Sequence, residues 1–118
     1  MTSSKTARKN PLKLNKLQLR TLALAQVIAG DENLSRRDDA SGDVTLLEIP
    51  RPHGDHVHVG SFVVSARDAS GFANPAVWTA LKRKGLVREG DPLTVTLSAE
   101  GVAYETGLGE RFAKPSDH

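Results

Sequence analysis

The strongest constraint on how this chain can fold lies between residues 74 and 104, where start and stop signals follow one another closely. Asn74 suits a helix N-cap, and Pro75 suits the first helical position, where its missing N–H would have had no partner. Val77, Trp78 and Leu81 recur at helical spacing and define one apolar face. Lys82, Arg83 and Lys84 load the last turn, where positive charge complements the helix dipole, and Gly85 suits the left-handed position that ends a helix. Leu86-Val87-Arg88 then leads through the turn Glu89-Gly90-Asp91-Pro92 into an apolar strand at residues 93–97. Ser98 can cap a last short helix reaching Tyr104. The spacing therefore predicts a helix, a two-stranded hairpin and a second short helix.

The preceding chain is read by the same rules. Asn15 can cap a helix that Gly30 ends, with Leu17, Thr21, Leu24, Ala25 and Ile28 on one stripe and Leu14, Leu22 and Val27 widening it. Residues 31–43 read as a mobile charged loop. Residues 44–49 and 56–64 read as two strands paired about the turn at residues 50–55. Pairing Leu47 and Ile49 with Val57 and Val59 would give one apolar face, leaving Glu48, His56 and His58 on the other. Residues 65–71 read as a short helix capped by Ser65 and ended by Gly71, with Ala66 and Ala69 inward and Phe72 plugging the turn before Pro75. The division is a disordered basic arm at 1–12, one domain at 13–106 and a flexible tail at 107–118.

Charge placement matters more than total charge. The formal net charge is only +2, yet Lys5, Arg8, Lys9, Lys13, Lys16 and Arg20 all precede the first acid, Asp31. Asp31, Glu32, Asp38, Asp39 and Asp43 then gather around Arg36 and Arg37. A basic arm followed by an acidic loop is the pattern, and a solvated tail and solvated loop would show it too. The absence of cysteine removes disulfides, thiolate metal sites and cysteine nucleophiles, and it agrees with a cytoplasmic location. The N-terminus has no apolar run of signal-peptide type, and Lys16, Gln18 and Arg20 interrupt the first helix, so no membrane association is expected.

A helix followed by a hairpin is the second half of a winged helix. The segments Leu81-Lys82-Arg83-Lys84-Gly85-Leu86-Val87 and Leu97-Ser98-Ala99-Glu100-Gly101 resemble, loosely, the patterns Leu-x-x-Lys-Gly-Leu-Val and Leu-Thr-x-Glu-Gly of MarR-like transcription regulators. The resemblance covers the second half of the chain and implies an α+β winged-helix-like domain. Its parts would be an N-terminal helix, an inserted β-hairpin, a short helix, a recognition-type helix and a C-terminal hairpin wing. It also implies a DNA-binding or transcription-associated module without catalytic activity, with double-stranded DNA as the expected partner. On that reading Thr79 and Arg83, with Asn74 at the helix start, face base edges, while Lys82, Lys84 and Arg88 suit phosphates. The chain differs from the regulators in its extra hairpin, in lacking the long flanking helices of their dimers, and in an acidic wing turn. The alternative is a protein-interaction or structural module, a homodimer included, in which residues 75–84 form a core helix with a basic end.

Three of the four histidines lie at His53, His56 and His58. On one strand face, His56 and His58 can approach one metal ion, with His53 or Glu48 completing three ligands. The competing reading is a polar strand face that happens to contain histidine, and no metal or cofactor is expected. No Gly-x-Ser-x-Gly elbow and no glycine-rich phosphate loop is present, so an enzyme is not expected.

Overall fold

The computed structural model describes residues 10–47, 49, 54–59, 62–67, 69–91, 94–107 and 114–115. These form an α+β domain of three α-helices and two antiparallel sheets. Helix α1 spans Lys16–Ala29 and begins in a reciprocal cap. Asn15 Oδ1 accepts the Gln18 N–H at 2.8 Å, and Gln18 Oε1 accepts the Asn15 N–H at 3.0 Å. Of its predicted stripe, Thr21, Leu22, Leu24, Ala25 and Ile28 are buried, while Leu17 and Val27 are half-buried.

Strand β1 (Ser35–Arg37) lies within the stretch expected to be a mobile loop. It pairs with β2 (Val44–Leu46), and Asp38 N–H donates to Asp43 O at 2.9 Å to close the turn between them. Strands β3 (His56–Val59) and β4 (Phe62–Ser65) form a second hairpin. A 3-10 turn at Ser70–Ala73 leads into helix α2, Pro75–Arg83. Strands β5 (Val87–Asp91) and β6 (Thr94–Leu97), helix α3 (Ala99–Ala103) and the two-residue strand β7 (Lys114–Pro115) complete the order. One sheet runs β1-β2-β6-β5 and the other β3-β4-β7.

Two sequence expectations are corrected here. The strand at residues 44–46 does not pair with residues 56–59. Val44 instead faces Leu97 and Leu46 faces Val95, while Val57 faces Val64. Alternation specifies which face of a strand is buried and leaves its partner open. The faces of β3 were read correctly, with Val57 and Val59 buried, but Leu47 is 53% exposed. The expected helix at residues 65–71 is replaced by the end of β4 and the 3-10 turn. A single helical turn fixes several dihedrals for few hydrogen bonds, so strand pairing to Ser65 prevails. Ala69 and Phe72 are nonetheless buried, as expected.

One apolar core joins both sheets to the helices. Trp78 has no exposed surface, and its indole N–H donates to Phe72 O at 3.0 Å. The Phe72 and Trp78 rings lie 5.8 Å apart between centroids. Val44, Leu46, Val95 and Leu97 cover the inner face of the larger sheet. On its outer face Thr45 Oγ1 and Thr96 Oγ1 are hydrogen-bonded at 2.9 Å.

The chain ends of the domain are tied together. Asn10 N–H donates to Glu105 O at 3.2 Å, and Leu12 N–H donates to the Tyr104 hydroxyl at 2.9 Å. That hydroxyl donates in turn to Asn10 Oδ1 at 2.9 Å. Residues 10–12, assigned to the arm by sequence, are thus hydrogen-bonded to the domain. Residues 114–115, assigned to the tail, pair with β4.

Candidate functional site

The basic end of α2 is the candidate site, and its geometry follows from how that helix is held. Asn74 Oδ1 accepts the Ala76 N–H at 3.0 Å, so its side chain serves as the N-cap. Val77, Trp78 and Leu81 face the core, while Ala76, Thr79, Lys82 and Arg83 are exposed and Ala80 is half-buried. Among the described residues neither Lys82 nor Arg83 forms an ion pair. Gly85 takes φ +80°, ending the helix, and Leu86 N–H donates to Leu81 O at 3.0 Å.

Two of the expected phosphate residues have protein partners. Lys84 Nζ donates to Leu12 O at 3.0 Å, across 72 residues of sequence. This contact brings the root of the basic N-terminal segment, with exposed Lys13, to the C-terminal end of α2. Arg88 Nε donates to Asp43 Oδ2 at 3.2 Å. Asp43 Oδ1 also accepts the Ala99 N–H at the start of α3, at 3.2 Å. The sequence reading missed Asp43 as a partner of this site. Its only signal was an acid next to a strand, and the partner lies 45 residues away.

Ser98 links the end of α2 to the start of α3. Ser98 Oγ donates to Gly85 O at 2.6 Å and accepts the Gly101 N–H at 3.0 Å, and Ser98 is fully buried. One hydroxyl therefore joins the end of α2 to the start of α3. Residues 92–93, in the turn expected from sequence as an acidic wing, lie outside the described residues.

The histidine face is partly assembled. His56 and His58 lie on the same side of β3, with ring centroids 5.1 Å apart in an edge-to-face arrangement. Asp55 Oδ1 lies 3.4 Å from His56 Nδ1. Among the described residues no group of three or more His, Asp or Glu side chains could hold a metal ion. The other two candidate ligands, Glu48 and His53, lie outside those residues. No described helix is long and apolar enough to cross a membrane.

No family model, curated protein or solved structure matches this chain.

Proposed function

We propose that this is a winged-helix-like module that binds double-stranded DNA, chiefly through phosphates, and has no catalytic activity. The observation that carries the reading is the Lys84–Leu12 hydrogen bond. It joins two segments that are distant in sequence, the Lys82-Arg83-Lys84 end of α2 and Leu12-Lys13, which in the sequence follow Lys5, Arg8 and Lys9. The approach of Leu12 and exposed Lys13 to the cationic end of α2, in a chain with a net charge of only +2, supports the electrostatic footprint expected of a phosphate binder. The element order supports the winged-helix part: α2 is followed at once by the β5–β6 hairpin, and the short strand β2 lies beside β6. The β3–β4 hairpin and 3-10 turn stand where the MarR-like regulators have a helix.

Base reading by this surface is thin. Asn74 is engaged as a cap, which leaves Thr79 and Arg83 as the exposed side chains suited to base edges. Binding with weak sequence preference follows from that inventory. The second reading, a protein-interaction module, draws on Leu47, the large apolar side chain left exposed among the described residues.

Anisotropy titrations with mixed-sequence duplex DNA over a range of salt test the proposal. Affinity is expected to fall steeply as salt rises. Replacing Lys82 and Arg83 with Ala should lower the slope of log K against log salt by about 2, at roughly 0.9 per phosphate contact. No binding at about 100 μM protein in low salt, where even non-specific binders are occupied, would overturn the proposal in favour of the interaction module.

A further inference from the structure

Arg88 occupies an irregular position. The β5–β6 register shifts between Val87 and Glu89, so Arg88 lies in a bulge, a feature that re-aims a side chain out of the ladder. Val87 and Val44 both pair with Leu97, on opposite sides of β6. Asp43 lies one residue past Val44 on the Ser98 side, Arg88 is the extra residue of the bulge opposite Leu97 and Thr96, and their side chains meet across β6. The two side chains differ in setting: Asp43 is 18% exposed and Arg88 58%.

The Asp43 carboxylate is held from two sides. One oxygen accepts the Ala99 N–H and the other accepts Arg88 Nε–H, both at 3.2 Å. Among the described residues the guanidinium is held at Nε. Its two terminal nitrogens form no hydrogen bond among the described residues, and they carry the N–H fork that suits a phosphate. An anchored acid that takes only Nε fixes the direction of that fork and leaves it available. The neighbouring tie from Ser98 Oγ to Gly85 O holds this strand end against the basic terminus of α2.

We propose that Arg88 is a phosphate contact on the hairpin side of the site, and that Asp43 is the positioning residue that aims its guanidinium. The inference rests on the nucleic-acid reading above and adds to it a specific pair of residues. Lysine is a poor substitute here, because its compact ammonium has no planar fork to meet Asp43 along one edge while presenting paired N–H groups to a phosphate along another.

The test compares the unaltered chain, Arg88→Lys, Asp43→Asn and the double variant in duplex-DNA titrations over a salt series. Arg88→Lys keeps the net charge, so a general field effect would leave its binding unchanged. If Arg88 makes the contact, this variant loses about tenfold in affinity near 0.1 M salt, and its salt slope falls by about 0.9. Asp43→Asn, whose amide oxygen can still accept the Ala99 N–H, should show a similar loss. The double variant should be no weaker than either single one, because both act on one contact. Tighter binding by Asp43→Asn would make Asp43 a competitor of phosphate and overturn the inference. Additive losses, or unchanged binding by Arg88→Lys, would overturn it as well. Thermal melts accompany each titration, and Arg88→Lys, which leaves the Asp43–Ala99 bond in place, carries the test if Asp43→Asn fails to fold. An unaltered chain that binds no DNA overturns this inference together with the parent reading. An unaltered chain that binds, with variants that match it, overturns this inference alone.

Discussion

A methyl group at position 101 would overlap the carbonyl oxygen of Leu86, and one at position 71 would overlap Thr21 Oγ1. Both glycines are required for close approach, since neither has a positive φ. The two obstacles differ in kind. At Gly71 the obstacle is a side chain, whose hydroxyl donates to Leu17 O at 2.8 Å. At Gly101 it is backbone, fixed by the bond from Ser98 N–H to Leu86 O at 3.0 Å. Gly71→Ala and Gly101→Ala should each lower stability by about 1–3 kcal/mol through overpacking, measured by urea unfolding. Adding Thr21→Ala to Gly71→Ala should cost less than the sum of the two single changes. Truncating the Leu86 side chain should bring no such relief to Gly101→Ala. Equal additivity in both pairs would refute the distinction.

The secondary-structure elements were legible in proportion to how local their determinants are. The caps at Asn15, Asn74 and Ser98 and the stop at Gly85 act within a few residues, and all occur as read. The apolar stripe of α2 also occurs as read, with Trp78 at its centre. Trp78→Ala should cost about 3–5 kcal/mol, since the indole is wholly enclosed and the surrounding core collapses only in part. A melting temperature equal to that of the unaltered chain would show that the aromatic centre is dispensable. Strand pairing was less legible. The pair Gly60-Ser61, between two β-branched runs, was a two-residue hairpin signal within the stretch read as one strand. Strand β1 had no apolar pattern to announce it. Arg36 and Arg37 are exposed on a sheet edge, where charge hinders pairing with another chain.

At the scale of the whole molecule, the two ends of the domain are joined by the Tyr104 hydroxyl. It accepts from Leu12 N–H and donates to Asn10 Oδ1, spanning 92 and 94 residues of sequence. Gln26 adds a second link, donating from Nε2 to Gly101 O and Tyr104 O at 2.9 and 2.8 Å. Tyr104→Phe removes both bonds of the hydroxyl while keeping the ring. It should cost about 1–2 kcal/mol, because a half-buried Leu12 N–H loses its acceptor. Amide exchange at Leu12 should accelerate more than exchange in the centre of α1, and uniform acceleration across both would contradict a local clasp. The same clasp holds Leu12, whose carbonyl accepts from Lys84 Nζ, so it also bears on the proposed DNA-binding surface.

The sequence by itself determined the three helices, their caps, the buried faces of α1 and α2 and the hairpin after α2. Each depends on residues within a turn or two of one another, where propensity and periodicity act directly. Tertiary structure alone decided that β2 joins β6 and not β3, that Leu47 is exposed, and that Asp43 meets Arg88. An apolar strand face can be covered by any complementary strand, so the choice depends on how all the elements fill one core together. The candidate site divides in the same way: its charges are visible in the chain, while the contacts that group and aim them come from segments tens of residues apart.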